Sequence, residues 1–313
     1  MPKNQKKKPL PLKPPDMRSR KKARKATTEF HKLTRQRDAA LERGDMETAS
    51  AIASSIDVVK YQRASQISTS FFSTSKWVLG YLSRNGWLYG RIVGDNEHGR
   101  SSSDGGRQRR KRRRPTRLLE VGAINTELLK ASMRPKTDSQ GSSEVSMYNL
   151  QVRAIDLHSM HQGIEEADFL EIAVEKDVEQ RYDVIVCSMV LNCVTTAEKR
   201  GLMLCRLYHF LRPGGLCFLT LPKSCLTLSM YVDRQVFREL LETIGMSIRE
   251  SKETPKICFF ICERRVEPRN VADHDIAKWK QVKILHRGKK YRNDFSVVVQ
   301  DDDISGSNLT FIM

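Results

Sequence analysis

The chain has 313 residues, 39% of them hydrophobic and 7% aromatic, and its 55 Lys/Arg outnumber 37 Asp/Glu to give a formal charge of +18. That length exceeds an average domain of roughly 100–200 residues, so one large domain with appendages is expected. No apolar run approaches the ~18 residues of a membrane span, the N-terminus lacks a secretory apolar stretch, and the seven cysteines contain no C-x-x-C pair. A soluble intracellular protein with reduced thiols, and neither a disulfide framework nor a zinc site, is the expectation.

Residues 1–37 hold 14 Lys/Arg against Asp16 and Glu29, and residues 100–117 hold nine against Asp104; the remainder is nearly neutral. Residues 1–28 interleave lysines with Pro9, Pro11, Pro14 and Pro15, a composition that neither buries a core nor propagates a helix, and are expected to form a disordered basic arm. Residues 29–99 are expected to be a helical region. Within it, Leu33, Arg37 and Leu41 recur at four-residue spacing before Gly44-Asp45, which suggests a helical hairpin over 29–59. Tyr61, Trp77, Tyr81 and Trp87 follow, with a helix expected over 75–84 that packs on the next domain; an aromatic surface for stacking bases is the alternative. Residues 100–115 read as a basic flexible linker.

From Thr116 onwards, short apolar runs alternate with helix-length segments, the pattern of βαβ units and a parallel sheet with helices on both faces. Strands are expected over 117–121, 150–155, 182–187, 216–221, 247–250 and 256–262. Helices are expected over 126–133, 198–210 and 232–244, with an inserted loop over 136–146. This domain is expected to span 116–265. Residues 266–313 form a polar C-terminal extension in which 295–299 reads as one more strand.

Ligands of such sheets sit beyond the carboxyl ends of the strands, where the strand order reverses. Glu120 and Gly122 end the first strand, an acid followed by a glycine that permits close backbone approach. Asp156 ends the second and could accept two ribose hydroxyls or cap a helix. Asp168 and Phe169 could grip the amino group and face of an adenine, or Asp168 could simply be solvated. Ser188 and Asn192 follow the strand over 182–187. Asn192 either holds a base, since its amide both donates and accepts, or caps the helix starting near Thr195; Ser188 either joins it or packs in the core. Pro222 and residues 225–231 could close the far wall, with Tyr231 a candidate for stacking. His158 and His161 lack companions at ligand spacing, and no metal is expected.

This order of features resembles the class I S-adenosylmethionine-dependent methyltransferases over residues 117–265, including the turn Leu211-Arg212-Pro213-Gly214-Gly215-Leu216 before a strand. The chain departs from that pattern in keeping only Gly122 of the usual glycine-rich loop, with Ala123 and Asn125 in the other places. The lack of those glycines disfavours a nicotinamide dinucleotide. More narrowly, Tyr61-Gln62-Arg63-Ala64-Ser65, Ile155-Asp156-Leu157-His158-Ser159, Asp168-Phe169-Leu170, Ser188-Met189-Val190-Leu191-Asn192 and Leu221-Pro222 together resemble the fungal large-subunit ribosomal RNA adenine-N(1) methyltransferases.

The resemblance implies a Rossmann-like fold and S-adenosylmethionine as cofactor. It also implies methylation of one adenine of 25S ribosomal RNA during ribosome biogenesis, in the nucleolus of the nucleus. The basic segments 1–37 and 100–117 are the expected contacts to ribosomal RNA or a pre-ribosomal particle, with no membrane partner and a monomeric chain. An S-adenosylmethionine sensor or scaffold acting through protein partners, known among animal relatives, is the alternative, and a protein methyltransferase is a third reading.

Overall fold

The computed structural model describes residues 19–69, 74–92, 113–132, 148–266 and 276–312. Two compact units divide the chain, Met1–Ser73 and Thr74–Met313.

In the first unit, α1 (Arg20–Glu42), α2 (Met46–Ser55) and α3 (Val58–Thr69) follow one another, and the second and third both pack on the first. The turn at Gly44-Asp45 is as expected: Gly44 takes φ +74, and the Asp45 carboxylate accepts the Thr48 N–H at 3.0 Å, capping α2. Ala23, Ala26 and Ala64 are small enough for close helix approach beside Ile67, and Phe30 stacks on Tyr61 with ring centroids 3.8 Å apart. Helix α1 starts at Arg20, so residues 20–28 are helical and not part of an arm. The prolines end at Pro15, and the Lys/Arg/Ala-rich sequence beyond them consists of good helix formers. The rest of that segment, residues 1–18, lies outside the described residues.

The second unit opens with α4 (Thr74–Arg84), so the boundary falls inside the region read as 29–99. The reason is packing: Trp77 meets Phe218 and Phe259 edge-on at 5.2 and 5.0 Å, and Tyr81 meets Phe218 at 5.5 Å. These aromatics serve the core and not an exposed stacking surface. Short strands β1 (Arg91–Ile92) and β2 (Arg113–Arg114) pair antiparallel, so the described end of the basic linker is fixed as a strand; residues 93–112 lie outside the described ones.

Then come β3 (Thr116–Val121), α5 (Glu127–Ser132), β4 (Leu150–Asp156), β5 (Glu165–Glu166), β6 (Val174–Glu175), β7 (Tyr182–Ser188), α6 (Ala197–Phe210) and β8 (Leu211–Pro222). The predicted loop over 136–146 lies outside the described residues. The chain continues through α7 (Ser224–Thr227), α8 (Arg234–Ile244), β9 (Met246–Glu253), β10 (Ile257–Arg264), α9 (Asp301–Ser305) and β11 (Phe311–Ile312).

Seven strands form one sheet in the order β5-β4-β3-β7-β8-β10-β9, parallel from β5 to β8, with β10 antiparallel to both neighbours. The order reverses between β3 and β7, which puts a switch point at the carboxyl ends of those two strands. Side-chain alternation sends Leu119, Val121, Ile185 and Cys187 to one face, under α6 and α8, and Leu118, Val184, Val186 and Phe218 to the other, under α4 and α5. This is the Rossmann-like α/β arrangement with helices on both faces. Strand β8 begins earlier than expected. Its pairing with β7 jumps from Tyr182↔Leu211 to Val184↔Leu216, and the Pro213-Gly214-Gly215 turn is absorbed as an irregularity in the strand.

The sheet unit does not end at residue 265. Trp279, Phe295, Val297, Val299 and Leu309 belong to the same core as the sheet. The Trp279 indole donates to Thr243 Oγ1 at 3.2 Å, the Arg200 guanidinium donates to the Ser296 carbonyl at 2.7 Å, and β11 pairs parallel with β6. Residues 295–299, read as one more strand, are buried but form no strand; they lie against α6. A Cβ on Gly201, in the middle of that helix, would sit 1.7 Å from the Val298 carbonyl oxygen, so the glycine permits the approach.

Candidate functional site

The carboxyl ends of the parallel strands bring the predicted residues to one edge. Register pairs Glu120 with Ala154 and with Val186, Asp156 with Glu166, and Ser188 with Thr220. Because these positions share strand parity, Glu120, Asp156, Ser188 and Thr220 all lie on the face covered by α4 and α5.

Glu120 is 8% exposed, and its Oε2 has no hydrogen-bond partner among the described residues. Burial, reinforced by the neighbouring charge of Glu127, pushes its carboxyl up to about 8. A buried acceptor left unmade costs free energy, and such groups mark strain or a missing partner. Gly122 follows with φ +73, donating its N–H to the Ile155 carbonyl at 2.9 Å. A Cβ there would lie 2.3 Å from Val190 Cγ2, so the side chain of the loop after β7 sits directly on the glycine.

That loop carries a second anomaly. Met189 takes φ +61, in the left-handed region, while its N–H donates to the Thr220 carbonyl at 3.1 Å. Beyond it, Asn192 Nδ2 donates to Cys193 Sγ at 3.3 Å, and Asn192 Oδ1 is buried without a partner among the described residues. The helix-cap reading of Asn192 falls away: Thr196 caps α6, its hydroxyl accepting the Lys199 N–H at 3.2 Å. Ser188 Oγ shares a hydrogen bond of 2.9 Å with Thr220 Oγ1, a partner legible only as a polar interruption in the apolar run of β8.

Asp156 caps no helix either. Its Oδ1 accepts the His158 N–H at 3.0 Å in a local turn, and the half-buried carboxylate stands at the strand end. Asp168 is exposed and accepts the Leu170 N–H at 2.8 Å, the ordinary behaviour of a turn aspartate. Phe169 departs from expectation: it is 3% exposed, its ring centroid 5.1 Å from that of Phe210, with its carbonyl accepting from Arg206. It belongs to the core under the sheet and presents no face to an adenine, because the turn at Asp168 directs the neighbouring side chain inward.

Ser229 is buried, donating to the Phe295 carbonyl at 2.7 Å and accepting the N–H groups of Tyr231 and Val232. It is a structural clasp that ties the segment after β8 to the C-terminal region and leaves Tyr231 half-buried. Burial pushes the thiols of Cys187 and Cys225 up to about 12 and about 11, so they stay protonated. Among the described residues no group of three His, Cys, Asp or Glu could hold a metal ion, and no helix is long and apolar enough to cross a membrane.

Residues 46–297 match the family described as 25S rRNA (adenine(2142)-N(1))-methyltransferase, Bmt2, over most of the chain. The chain belongs to this family. Among curated relatives, the Saccharomyces cerevisiae protein named 25S rRNA (adenine(2142)-N(1))-methyltransferase is 35% identical over 114 residues, covering 36% of this chain and 34% of that protein. The Schizosaccharomyces pombe protein named 25S rRNA adenine-N(1) methyltransferase is 30% identical over 186 residues, covering 58% and 60%. The matched segments thus span less than two thirds of either relative. A solved structure, the 1,6-didemethyltoxoflavin-N1-methyltransferase of Burkholderia thailandensis, is similar with a TM-score of 0.35 at 15% identity, over 49% of this chain and 72% of that one.

Proposed function

We propose that this chain is an S-adenosylmethionine-dependent methyltransferase that methylates N1 of an adenine in large-subunit (25S) ribosomal RNA during ribosome biogenesis. Family membership supports the reaction, and the observation that carries the site is the pair of buried, unpartnered acceptors, Glu120 Oε2 and Asn192 Oδ1, at the carboxyl edge.

The residues present fit a sulfonium nucleoside cofactor. Asp156, a carboxylate at the end of β4, would accept ribose hydroxyls. Glu120 offers a buried acceptor to a cationic amino group, and Gly122 offers backbone that approaches closely. Bound there, S-adenosylmethionine supplies an electrophilic methyl on sulfur.

The remaining work of the protein is positioning. Adenine N1 carries a lone pair and is largely unprotonated near neutrality, so no general base is needed to start attack. The base must leave its pair and be held with N1 aligned. The vacant Oδ1 of Asn192 matches the exocyclic amino group of adenine, and the Ser188–Thr220 hydroxyl pair supplies further donors and acceptors close by.

Contact with ribosomal RNA or a pre-ribosomal particle through segments 1–37 and 100–117, action as a monomer, and a nucleolar location in the nucleus belong to the same proposal. A methyl on N1 blocks Watson–Crick pairing and stalls reverse transcriptase. Mapping stalls on ribosomal RNA from cells with the intact gene, a deletion, and Asp156→Ala tests the reaction. A stall confined to the intact strain is expected; one present in all three rejects it.

A further inference from the structure

A third basic block lies within the described residues, hidden in a remainder that is neutral only on average. Residues 276–293 hold seven Lys/Arg and no Asp or Glu. Two of these cations are engaged: Lys278 pairs with Glu239, and Lys280 pairs with Asp301 at 2.6 Å. Among the described residues, Lys283, Arg287, Lys289, Lys290 and Arg292 form no ion pair, and all five are exposed.

These five stand on a loop that is pinned at its base. The N–H groups of Leu285 and His286 both donate to the Met230 carbonyl, at 2.8 and 2.9 Å. On the return side, Asn293 N–H donates to the Leu228 carbonyl at 3.0 Å, and Met230 N–H donates to the Asn293 carbonyl at 3.1 Å. Between these clamps, Gly288 turns the chain with φ +107 in open space, placing Arg287, Lys289 and Lys290 at the tip. His286 stacks on Tyr291 with centroids 4.6 Å apart, and His286 Nε2 lies 3.3 Å from Asp233 Oδ2. Leu228 and Met230 belong to the segment that follows β8 and α7, the same segment that leads away from Pro222 at the carboxyl edge. The cationic loop is therefore tied at its base to the segment that follows the carboxyl end of β8.

Taking the proposed function as its premise, we infer that loop 283–292 is a docking surface for the RNA phosphate backbone flanking the target adenine. Unpaired cations held in fixed geometry release counterions when they meet phosphates, and the neighbouring exposed Ile284 and Leu285 add apolar surface for unstacked bases. The loop thereby holds the strand while the base enters the site.

The test uses the full chain with Arg287→Gln, Lys289→Gln, Lys290→Gln and Arg292→Gln combined, and a control with Lys278→Gln and Lys280→Gln, cations already neutralised by partners. The probes are an unmodified transcript of large-subunit ribosomal RNA and a random-sequence single-stranded RNA. At ~0.7 of salt slope for each phosphate contact on a single strand, the loop variant's plot of log affinity against log salt is expected to flatten by about 2–3, with roughly ten- to hundredfold weaker binding at low salt. The control is expected to keep the original slope.

An unchanged slope in the loop variant, or equal flattening in the control, overturns the inference. So does unchanged RNA binding with lost binding to polyglutamate, which assigns the surface to an acidic protein. Titration of S-adenosylhomocysteine into the same proteins separates the two claims. Failure of the unsubstituted chain to bind it removes the proposed function, whereas intact binding with an unchanged salt slope removes only the loop.

Discussion

The two edges of the central sheet treat their buried carboxyl groups in opposite ways. At the amino edge, Asp183 is 3% exposed, yet its carboxylate accepts both terminal nitrogens of Arg114 at 2.6 Å and the Arg117 N–H at 2.9 Å. Arg212 stands beside it, donating to the Arg181 carbonyl and to Glu179. At the carboxyl edge, Glu120 Oε2 and Asn192 Oδ1 are buried without partners among the described residues, and Met189 sits in the left-handed region. The same strands feed both edges, so strand chemistry does not explain the contrast. The Asp183 cluster is paired within the chain and serves stability, although Arg264 Nε at the end of β10 is also buried without a partner among the described residues. At the other edge, the buried Glu120 and Asn192 acceptors have no partner among the described residues, the kind of feature that marks strain or a functional role.

The largest expected effect breaks the paired Asp183 cluster. Asp183→Ala leaves Arg114 and Arg212 without their buried counter-charge, and a loss of about 3–5 kcal/mol of folding free energy is expected in denaturant titrations. The same kind of change at the carboxyl edge, Asp156→Ala, is expected to cost far less stability, since that carboxylate is half-buried. Equal losses at both edges contradict the comparison.

A smaller loss is expected from Gly122→Ala. The positive φ costs about 1–3 kcal/mol, and the new Cβ collides with Val190. Adding Val190→Ala is expected to recover the steric part but not the backbone part, so the double variant should lie between the single variant and the natural chain. Full recovery would show that the backbone conformation at Gly122 carries no strain.

The finest test concerns Glu120. Its carboxyl, raised in the folded chain to about 8 from an ordinary 4.5, stabilises the fold most below 4.5, and that contribution is lost as pH rises towards 8. Glu120→Gln is expected to remove this part of the pH dependence and to make the ligand-free protein more stable at pH 8 by on the order of 1–2 kcal/mol. A variant less stable than the natural chain at pH 8 would mean that the carboxylate is already satisfied.

Most of the sheet was legible because its signals are local. Strands β3, β4 and β7 fall within a residue of expectation, since each is a short apolar run between polar segments, and α8 stops at Gly245, whose φ of +100 is the helix-ending conformation the sequence implies. The C-terminal segment was not legible, because its burial depends on a partner distant in sequence. The apolar run Phe295–Val299 reads as a strand, yet it packs unpaired where Gly201 opens the surface of α6.

The site divides the same way. The strand-end positions Glu120, Asp156 and Ser188 lie at one edge, with Gly122 and Asn192 in the loops that follow β3 and β7. Phe169 was misplaced, because whether a loop aromatic points to a ligand or to the core depends on the turn at Asp168 and on Phe210. The basic loop over 283–292 does not stand out in the sequence because acidic residues elsewhere cancel its charge in any sum.

Calorimetric titration of S-adenosylhomocysteine into the full chain and into Asp156→Ala, near neutral pH in two buffers of different ionisation heat, bears most directly on the carboxyl edge. The natural chain should bind one equivalent and release a proton, because a cationic amino group beside Glu120 converts a protonated carboxyl to a carboxylate, and Asp156→Ala should weaken binding by about ten- to a hundredfold. Absence of binding by the natural chain, or equal affinity in the Asp156→Ala variant, would contradict the assignment of this edge as a methyl-donor site.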